Sequence, residues 1–338
     1  MRNAAYSALA IAVLLLVAAT ADVNAAVRIL VLIVIPYAAF ALFAVGFAYR
    51  VWSWALAPVP FRIPTTCGQQ KSLFWIRDAK LENPSRLPGV LGRMALETLL
   101  FRSLFRNTVA NLHEGRLHFS EQKYLWLGAL AFHWSLLVIL LRHLRLLIEP
   151  VPAFVLAVDR VDAFFQFGTP ELYVSDVVLA CALVYLLARR LREPMLRYIS
   201  QFSDYLALWL LLAVATSGLL MRYVTRVDVV AAKQFALSLA SFHPQLPATL
   251  STMFAVHVLL VSALAAYFPF SKLMHMAGAF LSPTRNLANN NRRQRHLNPW
   301  NSPVKTHSYA EWENEFRDKL IDAGIPLEAE HVTRATAD

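Results

Sequence analysis

Four histidines fall in or at the end of apolar runs, where an ionisable side chain is costly and usually functional. His133 and His143 stand ten residues apart in the run Tyr124–Ile148. His257 lies in the stretch from Gln234 to Ser271, which holds no Asp, Glu, Lys or Arg, and His275 follows eighteen residues later. At the helical rise the two pairs are separated by about 15 and about 27 Å. Eighteen residues are five turns, so on a straight helix His257 and His275 share one face. Ten residues leave His133 and His143 about 80° apart, still on one broad side. If the two helices run antiparallel, early pairs with late: His133 with His275, and His143 with His257. Two imidazoles converging from two helices suit the axial positions of a haem iron. No Cys-x-x-Cys-His occurs, so such haems are of the non-covalent b type. Two haem b groups stacked across a bilayer form an electron wire. Arg142 and Arg145, flanking His143, are placed to neutralise propionates. A lone membrane histidine is often only a helix–helix hydrogen-bond donor, and His275, beyond Lys272, could be interfacial; four arranged two by two argue against coincidence.

The elements that must position these residues are membrane helices. The 338-residue chain is 57% hydrophobic and only 16% charged, against roughly 45–50% and about 25% in soluble domains. Crossing about 30 Å of hydrocarbon takes about 20 apolar residues. The runs Ala4–Ala21, Ile29–Tyr49, Tyr124–Ile148, Leu172–Leu191, Tyr205–Met221 and a helix from about Ala248 qualify. Leu172–Leu191 is the weakest, interrupted by Asp176. Ala4–Ala21 resembles a signal peptide but is longer than the usual core of about 7–15 residues, so it is read as a retained helix. The last helix is expected to continue, kinked, past Pro269. The fold class is therefore all-α and integral to the membrane, a six-helix transmembrane bundle. Residues 1–54 form an N-terminal hairpin, 55–123 a cytoplasmic loop, 124–281 a four-helix dihaem core and 282–338 a cytoplasmic tail.

Orientation follows from Lys and Arg. Of 32 such residues, 25 fall on one side of this arrangement, which places both termini in the cytoplasm of a bacterial inner membrane. The net charge of +10 thus reflects basic inner loops, not nucleic-acid binding. Between Gly89 and Leu112 apolar residues alternate with Arg93, Arg102 and Arg106, the pattern of an amphipathic helix on the inner surface or against a partner. The polar tail from Ser282 contains a short helix around Tyr309–Ala323 and suits docking to a partner subunit. Two cysteines, Cys67 and Cys181, are too few for a cluster or a cysteine-built zinc site. Cys67 and Lys71, with Arg102 and Arg106, are candidates for partner contact. Quinone chemistry needs proton donors near a haem edge; Asp176, Tyr173 and Asp162 are the candidates on the outer side.

Histidines spaced ten and eighteen apart on two helices resemble the gamma subunit of respiratory nitrate reductase, a five-helix dihaem cytochrome b. The likeness covers the core from about Tyr124 to Met276 and implies His133, His143, His257 and His275 as haem ligands. Within that superfamily, the segment Ile63-Pro64-Thr65-Thr66-Cys67-Gly68-Gln69-Gln70-Lys71-Ser72 is similar to the DsrM family, the membrane cytochromes of dissimilatory-sulfite-reductase-associated complexes. The extra N-terminal hairpin and the segment Phe101-Arg102-Ser103-Leu104-Phe105-Arg106-Asn107-Thr108 resemble the same family. The additional helix and long inner loop depart from the nitrate reductase pattern, so that enzyme's partner contacts do not transfer. The resemblance implies an electron-transfer subunit of a quinone-interacting oxidoreductase in dissimilatory sulfur metabolism, using menaquinone or ubiquinone. Its implied partners are a cytoplasmic iron–sulfur subunit resembling heterodisulfide reductase, a periplasmic multihaem cytochrome c, an iron–sulfur protein and a second integral quinone-reactive subunit. Two other readings compete. A proton-coupled transporter would relay protons through the histidines, but neither paired repeats nor broken helices at matching positions are visible. A catalytically inert anchor for peripheral subunits is permitted by the tail but disfavoured by the four histidines, and the cytochrome b anchor of another respiratory oxidoreductase, such as nitrate reductase, is a further alternative.

Overall fold

The computed structural model describes residues 2–22, 24–57, 68–164, 170–290 and 306–327. Among these the chain is mostly helical. Helix α1 (Arg2–Ala19) is followed by α2 (Ala25–Ile29) and α3 (Ile35–Leu56), which run on through one π-turn as a continuous apolar rod, Ala25–Leu56. Five helical stretches are long and apolar enough to cross a membrane: Arg2–Ala19, Ala25–Leu56, Lys123–Leu146, Phe202–Val224 and Thr252–Phe270. They contain α1, α2 with α3, α6 (Lys123–His143), α10 (Phe202–Leu219) and α12 (Thr252–Tyr267). The remaining expected span is α8 (Val174–Arg192). It has 19 residues but carries Asp176 in its first turn and Arg189, Arg190 and Arg192 in its last. Those charges lower its hydropathy while suiting the helix dipole at each end.

Packing orders these helices. α6 lies on α8, α8 on α10 and α10 on α12, while α3 lies on α12 and α1 on both α10 and α12. The largest buried cluster is built from Ile11, Val31, Leu32, Leu210, Phe254, Leu259 and Leu260, where α1, the α2–α3 rod, α10 and α12 meet. Close contact between spans is made by small residues, as expected where lipid removes the hydrophobic drive between helices. Ser7, Ser135, Ser217 and Ser262 are all buried, and Ser135 satisfies its hydroxyl on Ala131 O, 2.6 Å away. At Gly128 of α6 a Cβ would stand 2.6 Å from the Tyr185 ring of α8, so only glycine permits that approach. Large apolar side chains such as Leu16, Phe40, Val45 and Leu140 are exposed on the outside of the spans, the surface a bilayer would cover.

Three expectations are corrected. The amphipathic stretch 89–112 is not one helix: α4 (Leu87–Leu100) stops at Phe101, which adopts a left-handed conformation with φ 49°, and only the short α5 (Arg102–Phe105) follows. The chain is also not wholly α. Strands β1 (Thr108–His113) and β2 (Arg116–Glu121) form an antiparallel hairpin, turned at Glu114 and Gly115, both with positive φ, as a two-residue hairpin turn requires. Nor does α12 continue as a kinked helix. It ends at Tyr267, passes through short 3-10 turns and an extended Ser271 (φ −111°, ψ 174°), and resumes as α13 (His275–Leu281). Pro269 has no N–H to extend the ladder. Gly46 of α3 accommodates it closely, since a Cβ there would lie 2.8 Å from Pro269 Cβ.

The connection from α6 to α8 contains α7 (Ala153–Asp162), that from α10 to α12 contains α11 (Val229–Ala240), and a short α9 (Pro194–Ile199) joins α8 to α10. After α13 come α14 (Pro283–Asn286) and, in the tail, α15 (Tyr309–Asp322). The last is opened by a capping box between Ser308 and Glu311.

Candidate functional site

The four membrane histidines come together two by two. His133 on α6 and His275 at the start of α13 face each other with ring centroids 5.9 Å apart and planes at 80°. At the other end of the bundle, His143, the last residue of α6, and His257 of α12 lie within electrostatic range of each other. Antiparallel helices suggest this juxtaposition of rings. Its geometric basis differs, because the break after Tyr267, and not a straight five-turn helix, sets where His275 stands.

Every one of these imidazoles has its Nδ1 committed. In His133 it donates to Ala129 O at 2.8 Å, in His143 to Ile139 O at 2.7 Å and in His275 to Lys272 O at 2.7 Å. A carbonyl only accepts, so each Nδ1 carries the proton and each Nε2 presents a lone pair. For His257 the partner is the hydroxyl of Ser217 on α10, 2.8 Å away, which itself donates to Val214 O at 2.9 Å. With its proton so spent, Ser217 Oγ accepts from His257 Nδ1. Fixing one ring nitrogen this way is how metal-bound imidazoles are oriented.

These donors fit a haem iron. His133 and His275, with ring centroids 5.9 Å apart and each Nδ1 engaged by a carbonyl, would hold such an iron through Nε2, and it would supply one-electron chemistry there. α8 and α10 follow one another in the packing order between α6 and α12, and Phe132, Leu136 and Ile139 of α6 share an apolar cluster with Leu264 of α12. Phe132 and Phe101 meet the His133 ring edge-on at 4.8 and 4.9 Å. Phe101 reaches it because its left-handed backbone ends α4, and α4 is tied to α6 by Trp126 Nε1 to Leu100 O at 2.7 Å and Trp134 Nε1 to Leu99 O at 3.0 Å.

Beside His143 lies a buried polar network. Arg142 forms an ion pair with Asp162 of α7, bonds Asp176 of α8 at 3.1 Å and Ser175 Oγ at 3.2 Å. Asp162 is held further by Ser175 N at 2.7 Å and Ser175 Oγ at 2.5 Å. Tyr223 donates from its hydroxyl to Asp176 at 3.0 Å and accepts from Tyr173 N at 3.1 Å. Tyr173 donates to Asp159 at 2.8 Å, and its ring lies between the guanidinium groups of Arg142 (3.5 Å) and Arg222 (4.0 Å). Arg145 pairs with Asp159 at 3.3 Å. The three quinone candidates, Asp162, Tyr173 and Asp176, therefore converge on one site. The two arginines expected at haem propionates are instead engaged with carboxylates. Sequence reasoning missed Ser217 and Tyr223: each is a common residue in an apolar helix, and only its neighbour in space distinguishes it.

On the opposite side, Arg102 and Arg106 both pair with Glu82, and Lys71 stands 3.8 Å from Asp78. Cys67 and the residues of the motif before it, 63–66, lie outside the described residues.

The family model described as "Nitrate reductase gamma subunit" matches residues 99–292. The Hdr-like menaquinol oxidoreductase cytochrome b-like subunit of Archaeoglobus fulgidus is 42% identical over 275 residues, covering 79% of this chain and 82% of that protein. The protein of the same description from Archaeoglobus profundus is 42% identical over 273 residues, covering 79% and 81%.

Proposed function

The chain belongs to the nitrate reductase gamma subunit family, and from that premise we propose that it is the dihaem cytochrome b subunit of a menaquinol-oxidising membrane complex. The observation that carries this reading is the set of four imidazoles on α6, α12 and α13, each with Nδ1 held and with no Nε2 partner among the described residues. His133 with His275 would hold an inner haem, and His143 with His257 an outer one. When bound, the haems supply two one-electron carriers arranged across the bilayer. The protein's own part is to fix the rings, exclude water and move protons at the outer end. There Asp176, bonded to Tyr223, is the group we assign to quinol deprotonation, with Tyr173 and Asp162 shaping its surroundings.

In this reading α8 completes a six-helix transmembrane bundle, and both termini lie in the cytoplasm. The electron partner is an Hdr-like iron–sulfur subunit on the cytoplasmic side, in keeping with the description of the Archaeoglobus relatives. Lys71, Arg102 and Arg106, with the β1–β2 hairpin beside them, are the surface we assign to it. Multihaem and iron–sulfur partners outside, and a place in dissimilatory sulfur metabolism, extend the same proposal. The test is direct. A reduced-minus-oxidised spectrum and a pyridine haemochrome assay of the purified chain should give two b-type haems per polypeptide, and a protein without b-type absorption would overturn the reading.

A further inference from the structure

The end of the bundle that holds His275 contains a groove of about 410 Å³, lined among others by Arg50, Trp54, Lys272, His275, Gly278 and Arg285. Three cations line it, but they are not equivalent. Lys272 is bonded to Asp204 at 2.7 Å. Arg50 and Arg285 have no carboxylate partner among the described residues. The Arg50 guanidinium lies 5.4 Å from the ring centre of Trp54, and Trp54 packs at Gly278, where a Cβ would be 3.6 Å from its ring. Arg285 is anchored through its backbone, because the buried Arg93 donates to Arg285 O at 2.5 Å. Two guanidinium groups without a carboxylate partner among the described residues line one groove, and they suit a pair of carboxylates, which arginine binds with a matching planar fork.

His275 belongs to this groove and also to the pair with His133. We propose that Arg50 and Arg285 bind the propionates of the inner haem. The inference rests on the dihaem reading and adds residues that the sequence had not singled out. It also reverses the expectation that propionate neutralisation belongs to Arg142 and Arg145, whose guanidinium groups are engaged with carboxylates. A positive charge beside a haem favours the reduced iron, which carries one positive charge fewer, so these arginines raise the inner haem's midpoint potential as well as holding its edge.

The test uses the full chain in nanodiscs, with haem content and both midpoint potentials read by optical and paramagnetic-resonance titration. Arg50→Gln and Arg285→Gln should each shift the inner haem to lower potential. The double variant should shift it further or lose that haem, while the outer haem keeps its content and potential. Arg285→Lys should recover part of the shift. Unchanged potentials in a protein that retains both haems would overturn the proposal, as would equal loss of both haems. A shift seen only in discs of anionic lipid would assign the groove to phospholipid headgroups and also overturn it. His275→Ala, run in parallel, separates the two claims. If it removes one haem while the arginine variants change nothing, the dihaem reading stands and only the propionate assignment falls. If wild type holds no haem, the underlying reading fails first.

Discussion

His257 of α12 and Ser217 of α10 are joined by a hydrogen bond of 2.8 Å between Nδ1 and Oγ, in which a buried serine sets the tautomer of a half-buried imidazole. The other three membrane histidines use carbonyls of their own local turn. His257 alone among the four depends on a neighbouring helix, so the outer pair responds to how α10 and α12 pack.

Ser217→Ala should therefore act on one haem. Loss of such an outer partner typically costs about 10–100-fold in metal affinity. The outer haem should be retained poorly while the inner one stays, and Ser217→Thr should restore it. Haem per polypeptide together with the two midpoint potentials checks this; an outer haem of unchanged content and potential in Ser217→Ala would contradict it.

Replacement of the histidines should group them by pairs. His133→Ala and His275→Ala should remove or disturb the inner haem, and His143→Ala and His257→Ala the outer, because an iron that loses one axial ligand changes spin state and potential. Redox titration followed by paramagnetic resonance is the readout. Loss of the same haem in His133→Ala and His257→Ala would refute the pairing.

Arg142 and Asp162 are both buried and joined as an ion pair. Breaking such a pair leaves an uncompensated charge and costs about 3–5 kcal/mol. Arg142→Ala should thus lower the thermal unfolding midpoint in detergent far more than Arg145→Ala, whose partly exposed pair with Asp159 is worth about 0–1 kcal/mol. Similar midpoints for the two variants would show that the network does not stabilise the fold.

Asp176→Asn and Tyr223→Phe should slow quinol oxidation without altering haem content. Loss of a positioned acid or base commonly costs about 10²–10⁴-fold, and Asp176→Asn should fall in that range. Tyr223→Phe should fall less, since it removes a partner and not the proton acceptor. Steady-state oxidation of a soluble quinol analogue measures both; full activity in Asp176→Asn would remove that residue from the proton route.

Arg160 is exposed on α7, on the side that the distribution of basic residues places outside the cell. In a variant without native cysteines, Arg160→Cys should react with an impermeant thiol reagent from the outside. Labelling only from the cytoplasm would invert the topology.

Much of the site is legible in the sequence because bilayer thickness and the helical repeat are rigid rulers. Runs of about 20 apolar residues have few alternatives to helix, and ten- and eighteen-residue spacings on antiparallel helices already pair His133 with His275 and His143 with His257. The stretch 89–112 was harder to read. Its apolar and basic residues fit an amphipathic helix well, but Phe101 takes a left-handed conformation that lets its ring meet His133, and the hairpin begins soon afterwards. Pro269 signalled a disturbance, and what followed was a complete break.

By itself the sequence located the five long apolar helices and the four candidate histidines, since these depend on hydropathy and on periodicity along one chain. Tertiary structure decided which cations are engaged. Arg142 and Arg145 stand beside His143 in sequence, but α7 and α8 bring Asp159, Asp162 and Asp176 to them. Arg50 and Arg285, far apart in the chain, line one groove with His275 and have no carboxylate partner among the described residues. The reason is physical. A charge in low dielectric is controlled by whatever lies within a few ångströms in space, and sequence proximity does not report that distance across helices.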